Sequence, residues 1–260
     1  MEKLKIILIL LIIILTITSL TTAIIILNNK SKLSIETSYY NGLPIQNVCA
    51  EYTYDMRTAE KSVGATDYTF IAKINGIIRT EYRNPIEVEI NAEGTKTKTV
   101  SDPYTIYSVT VIENIKGNLI TTRDIEVEQM GGIAEDGKSY VLLEGTELLK
   151  VGEYYILLAF VPFEKGALQI NNPATIVSLG NIRENDTIKA IGSILTAGNT
   201  STIKSISDNV LKNDKVDGKI INEVSKYANA YLVQVVPDGI STESQKIIFN
   251  KSIYDISYSQ

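Results

Sequence analysis

The sequence predicts a mainly β protein: a small antiparallel barrel or sandwich, preceded by one membrane-spanning helix and followed by a helical appendage. Three observations predict it. Ile6 to Leu27 carries no charge at all. Several short segments between residues 68 and 170 alternate apolar and polar side chains, the two-residue period of a strand with one wet face. After Asn181 the apolar spacing changes to three and four, the period of a helix.

As a helix rising about 1.5 Å per residue, Ile6 to Leu27 spans roughly 33 Å, enough for a bilayer core of about 30 Å. Residues 1–29 are therefore read as a membrane anchor. The competing reading is a signal peptide with Lys3 and Lys5 at its basic end and a cut after Ala23, which would leave the chain secreted. The apolar run Ile24 to Leu27 continues past that site and favours the anchor. Without Glu2, Lys3 and Lys5 the remainder holds 23 basic and 29 acidic residues, net −6. Such a domain suits the outside of a membrane better than an anionic inner leaflet, so a single-pass, extracytoplasmic placement is expected.

Residues 30–58 are polar, rich in Asn, Ser and Tyr, and broken by Gly42 and Pro44, the pattern of a linker. The barrel is placed at 59–180. Tyr68, Phe70, Ala72 and Ile74 form its first alternating strand. Ile86, Val88 and Ile90 form another, turning at Ala92 to Gly94 into Thr95–Val100, so that Lys96 and Lys98 face Glu87 and Glu89. Tyr107, Val109 and Val111 alternate, as do Ile125 and Val127. Tyr154 to Val161 is unbroken apolar sequence between Gly152 and Pro162, suited to a central strand, and Ala167 to Ile170 follows a turn. Residues 181–260 are the helical appendage, with Asp186 as a cap, faces at Ile188/Ile191/Leu195, Ile203/Ile206/Val210 and Ile220/Val224/Tyr227/Tyr231/Val235, and a closing strand at Tyr254 to Tyr258.

Three segments carry a family resemblance. Asp67, Tyr68, Phe70, Ala72, Lys73 and Ile74 resemble the first strand of netrin-like domains, the OB-type barrel shared with tissue inhibitors of metalloproteinases. Tyr107, Val109, Val111, Glu113, Ile115, Lys116 and Gly117 resemble that family's second strand, which ends in Lys-Gly. Gly152 to Ala159 resembles its Gly-x-x-Tyr strand. The resemblance covers roughly residues 60–173. It implies an OB-like barrel that binds protein or ligand, with no catalytic group. The inhibitors hold zinc through an amino-terminal Cys and lock the fold with disulfides; Cys49 precedes the barrel and is the one cysteine, so those residues do not carry over.

Composition removes several chemistries. With no His there is no Ser-His-Asp triad, Cys-His pair or HExxH zinc site, and one Cys forms no internal disulfide. Gly132 to Ser139 fits the phosphate-loop pattern, yet Glu135 and Asp136 repel phosphate and Asp136-Gly137 reads as a hairpin turn. Ser201 and Lys204 form S-x-x-K without companion motifs. Asn213, Asp217 and Gly218 imitate a calcium loop, but Lys215 and Val224 stand where ligands belong. Asn-x-Ser/Thr sequences start at Asn29, Asn185, Asn199 and Asn250, no more than composition supplies. Glu87 and Glu89 read as a solvated strand face rather than a glycosidase pair. An acidic chain without a basic stripe argues against nucleic acid. Tyr39, Tyr40, Tyr52, Tyr54, Tyr82 and Tyr104 fall near loops, where they can make amphipathic contacts.

The expected function is therefore a binding or interaction protein of the cell surface, not an enzyme. Its expected partners are the membrane and another envelope or extracellular protein, with no cofactor, metal or catalytic residue assigned. An inhibitor of an extracellular protease is the first alternative. A hydrolase using carboxylates or Ser201 is the second.

Overall fold

The computed structural model describes residues 40–52, 55–89, 97–162, 166–182, 185–212 and 215–232. The expected anchor Ile6 to Leu27, the tip of the Glu87 hairpin and the closing strand Tyr254 to Tyr258 lie outside them. No described helix is long and apolar enough to cross a membrane.

Eight strands form one sheet: β1 (Ile45–Val48), β2 (Tyr68–Glu89), β3 (Thr97–Lys116), β4 (Asp124–Ile133), β5 (Tyr140–Leu143), β6 (Tyr154–Ala159), β7 (Leu168–Gln169) and β8 (Ile176–Gly180). The order is β1-β5-β4-β3-β2-β6-β8, open at β1 and β8. Off this path β7 pairs in parallel with β4, and Phe160, one residue beyond β6, bridges Gln169 through two 2.9 Å backbone hydrogen bonds. These pairings join β4 back to β6. The protein is thus mainly β, as expected, but not antiparallel throughout, since β1 with β5 and β4 with β7 are parallel.

Alternation explains the interior. Phe70, Ala72, Val109, Val127, Leu157 and Leu168, from β2, β3, β4, β6 and β7, point into one apolar cluster and are fully buried. The unbroken run in β6 has a different cause. Leu157 and Ala159 belong to that interior, while Ile156 and Leu158 face a second core on the opposite side, so every position from Tyr155 to Ala159 is buried.

The second core is made with four helices: α1 (Ala59–Ala65), α2 (Asn185–Leu195), α3 (Thr200–Val210) and α4 (Gly218–Leu232). Ile191, Ile194, Ile203, Ile221 and Val224 cluster with Ile71, Ile156 and Leu158 of the sheet. The helical segment is therefore docked on the face made by β2, β3, β6 and β8, where Ile115 of β3 and Leu179 of β8 join the same cluster. Caps explain its boundaries: Asn199 Oδ1 accepts from Thr202 N at 2.9 Å at the start of α3, and Asp217 Oδ1 accepts from Lys219 N at 2.9 Å before α4. Asp186 sits in the first turn of α2.

Three expectations need correction. The segment read as a linker is partly built in: β1 lies parallel to β5, and Tyr40 is buried with its ring 4.8 Å from that of Tyr140. Within the same segment Thr58 caps α1, whose seven residues are too few to show a helical period. The hairpin register places Lys98 opposite Val88 and Glu87 opposite Thr99, and Lys98 Nζ reaches Asp136 instead, at 2.6 Å.

Candidate functional site

The helices pack on the outer side of β2, β3, β6 and β8 around Ile71, Ile115, Ile156 and Leu179, and the stretch of β2, β3 and β4 that carries Arg79 to Arg83 and Glu126 lies outside that apolar cluster. On β2 the residues Arg79, Glu81 and Arg83 share this face, in register with Ile106, Tyr104 and Asp102 of β3. On β4, Asp124, Glu126 and Glu128 stand opposite Thr110, Ser108 and Ile106. Period-two alternation thus lines three strands with polar groups directed the same way.

These groups form one network. Glu81 accepts from both arginines, Arg79 Nε at 2.7 Å and Arg83 Nη2 at 2.6 Å. Arg79 also reaches Glu126 at 3.2 Å. Arg83 grips Glu128 with two nitrogens, at 3.0 and 2.6 Å, while Gln169 Nε2 of β7 reaches the same carboxylate at 3.4 Å. The Arg83 guanidinium lies 4.7 Å from the Tyr104 ring centre. Glu128 is only 3% exposed, so its charge depends on this grip. Ile106, between Arg79 and Glu128 in register, is fully buried beneath the charges.

Electrostatics follow the contacts. Hydrogen bonds from Arg83 and then Arg79 hold the Glu81 carboxyl below its usual range. Glu128, ahead of Glu81, pushes the Arg83 guanidinium above its own. Burial raises the Tyr104 phenol. Beside the ion network, Thr110 donates to Asp124 at 2.6 Å and Asn75 donates to Thr110 at 2.9 Å. The result is an ordered, charged face on which Glu81, Asp102, Asp124, Glu126 and Glu128 outnumber Lys73, Arg79 and Arg83. It can hold a partner's polar surface in fixed register.

The residues that carry the netrin-like resemblance do structural work. The Lys116 ammonium donates to Val63 O at 2.8 Å and to Thr66 O, closing the last turn of α1, and its burial lowers its pKa. Asp67 Oδ2 accepts from Val161 N at 2.7 Å, and Gly152 N donates to Ile74 O at 2.8 Å. Tyr68 packs its ring on Gly117. Lys116→Met should remove two charge-assisted hydrogen bonds and cost about 2 kcal/mol of stability, read by urea denaturation. An unchanged midpoint would show that α1 is held by its apolar face alone.

The discarded motifs are placed as follows. Gly132 to Ser139 is the end of β4 and the turn into β5, with Ala134 N bonded to Ser139 O at 2.8 Å and Gly137 at φ +70°, not a strand-to-helix loop. Ser201 Oγ donates to Asn199 at 2.8 Å, and Lys204 pairs with Asp208 at 3.1 Å, so serine and lysine do not engage each other. Glu87 sits exposed on β2. Cys49 is exposed, and its thiol donates to Glu144 at 3.0 Å, a contact that pushes its pKa up. Of the six loop tyrosines, Tyr40 is buried, Tyr104 stacks under Arg83, Tyr82 donates to Ile133 O at 3.2 Å and Tyr52 is exposed. Tyr39 and Tyr54 lie outside the described residues. Among the described residues no group of three His, Cys, Asp or Glu side chains is placed to hold a metal ion.

The reading from sequence assigned no site residues, and it missed the Arg79–Glu81–Arg83 row. The available signal was the strict alternation of charges with Thr80 and Tyr82, matched by Glu126 and Glu128 around Val127. No family model matches the chain, and no curated protein sequence matches it either.

Proposed function

We propose that this chain is an extracytoplasmic interaction module, held at the membrane by Ile6 to Leu27, whose OB-type, netrin-like barrel contacts another envelope protein through the outer face of β2, β3 and β4. An OB-type barrel is a five-stranded, partly open Greek-key cylinder. The pairing of β2 with β3, β3 with β4, β4 with β7 and β2 with β6, with the Phe160–Gln169 bridge between, supports that reading. The placement of three resembling segments in β2, β3 and β6 supports it also.

The observation that carries the function is the contrast between a filled interior and an ordered, uncovered face. Phe70, Tyr107, Leu157 and Leu168 are fully buried and leave the barrel to act by contact. A hollow beside Gly145, Lys150 and Pro173 measures about 170 Å³, small against ligand pockets of roughly 300–1,000 Å³. An excess of carboxylates on the face, within a chain of net charge −5, fits a partner that presents Lys and Arg side chains.

The test uses the full-length chain as bait in detergent-solubilised membranes. A reproducible partner whose capture weakens with added salt is expected. Glu126→Arg should remove that partner while leaving the thermal melt unchanged, because the Arg79–Glu126 pair is exposed on both sides and such pairs contribute below about 1 kcal/mol. Capture of the same partner by the Glu126→Arg chain would refute the face. No reproducible partner at any salt concentration would refute the function.

A further inference from the structure

Beyond Ile74, which still bonds Glu153 and Gly152 next to β6, strand β2 continues to Glu89 with β3 as its one partner among the described residues. Its other edge offers unpaired backbone groups over this stretch, a template for another strand. The edge carries exposed apolar side chains, Ile78 at 46% and Ile86 at 59%.

We propose that this edge pairs antiparallel with the same edge of a second copy of this chain, about a two-fold axis at Tyr82. The sequence is self-complementary in that register. Glu81 of each copy stands opposite Arg83 of the other, Thr80 opposite Asn84, and Ile78 opposite Ile86. Glu81 and Arg83 side chains are 35% and 38% exposed despite their own ion pair, so both retain faces to offer. Opposite charges and paired aliphatics across strands are the contacts that stabilise an antiparallel ladder. A register shifted by two residues, which moves the axis to Glu81 or to Arg83, sets Glu81 against Glu81 or Arg83 against Arg83.

The same edge limits the pairing. Register shifts between Ile77 and Arg79 and between Arg83 and Ile86, with Asn84 at φ +53° beside Pro85, bend β2 at both ends of the run. Only Arg79 to Arg83 is left straight, so Ile78 and Ile86 meet just beyond the ladder as an apolar contact and not as a hydrogen-bonded pair. A short isologous ladder closes on itself as a dimer and does not propagate into a fibre. The proposal does not depend on the outer-face partner, because the strand edge and the strand face are different surfaces.

The test is disulfide trapping in the full-length chain with Cys49→Ser as background. Tyr82→Cys places the two thiols across the axis, and mild oxidation should give linked dimer roughly tenfold above Ile78→Cys, whose counterpart is Ile86. Mixing Ile78→Cys chains with Ile86→Cys chains should restore linkage. Adding Ile86→Lys to Tyr82→Cys should lower the linked fraction several-fold. Linkage of Tyr82→Cys no faster than Ile78→Cys alone, or a mixture no better than its components, overturns the pairing.

Discussion

Gly117→Ala should destabilise the protein by about 3 kcal/mol, the sum of a backbone cost and a steric one. Gly117 has φ +91°, a conformation that side-chain-bearing residues rarely adopt. A Cβ built there would lie 2.4 Å from Cδ1 of Tyr68 and 2.9 Å from Cε1. These atoms are the body of a ring that is 7% exposed and belongs to the interior cluster, so the ring cannot swing away without opening that cluster. Gly152 supplies the control. Its φ is +88°, but nothing lies within 4 Å of its built Cβ, so Gly152→Ala should cost about 1 kcal/mol, the backbone part alone. At roughly 2–4 °C per kcal/mol for a chain of this size, the two variants should melt about 4–8 °C apart. Tyr68→Leu should recover part of the Gly117→Ala loss by vacating the clash. Equal melting of the two alanine variants would show that Tyr68 yields freely.

This pair also shows what was legible in the sequence. Lys116-Gly117 stood out through a family resemblance, which identified the position without its reason. The reason is a close approach between residues 117 and 68, visible only once β2 and β3 are in register. The same distinction separates the elements. Alternation at Tyr68 to Ile74, Tyr107 to Val111 and Ile125 to Val127 was readable because each strand has one dry face, and the run in β6 because it has two. The middle of β2 was not readable as strand. Arg79 to Asn84 is polar on both faces and ends at Pro85, so composition alone suggests a loop, although β3 pairs with it throughout. β1 has four residues and earns its strand only by lying beside β5. The helices were legible from their period, but not their docking, which depends on Ile71, Ile156 and Leu158 turning outward from strands whose other face fills the first apolar cluster. The charged face was hidden for a related reason. Arg83 and Glu128 are 45 positions apart, and no local pattern joins them.

Arg83→Ala should cost about 3–5 kcal/mol, a large effect for a side chain that is 38% exposed. The loss comes from what remains. The Glu128 carboxylate is left at 3% exposure with the 3.4 Å contact from Gln169 as its one surviving side-chain hydrogen bond in the network. An uncompensated buried carboxylate is far more costly than the pair was stabilising. Three variants separate these quantities. Glu128→Gln in the Arg83→Ala background should recover more than half of the loss, since it removes the stranded charge and keeps the shape. Arg83→Met with Glu128→Leu should fall within about 1.5 kcal/mol of the parent, because matched apolar groups replace buried ion pairs at little cost. The double-mutant cycle from these melts gives the coupling directly. That apolar pair should nevertheless lose the salt-sensitive partner, since Glu81 would keep Arg79 but lose Arg83 and the face its alternating charges. A stable Arg83→Met/Glu128→Leu chain that still captures the partner would show that the network serves the fold alone. An Arg83→Ala chain as stable as its parent would show that water, not Arg83, carries the Glu128 charge.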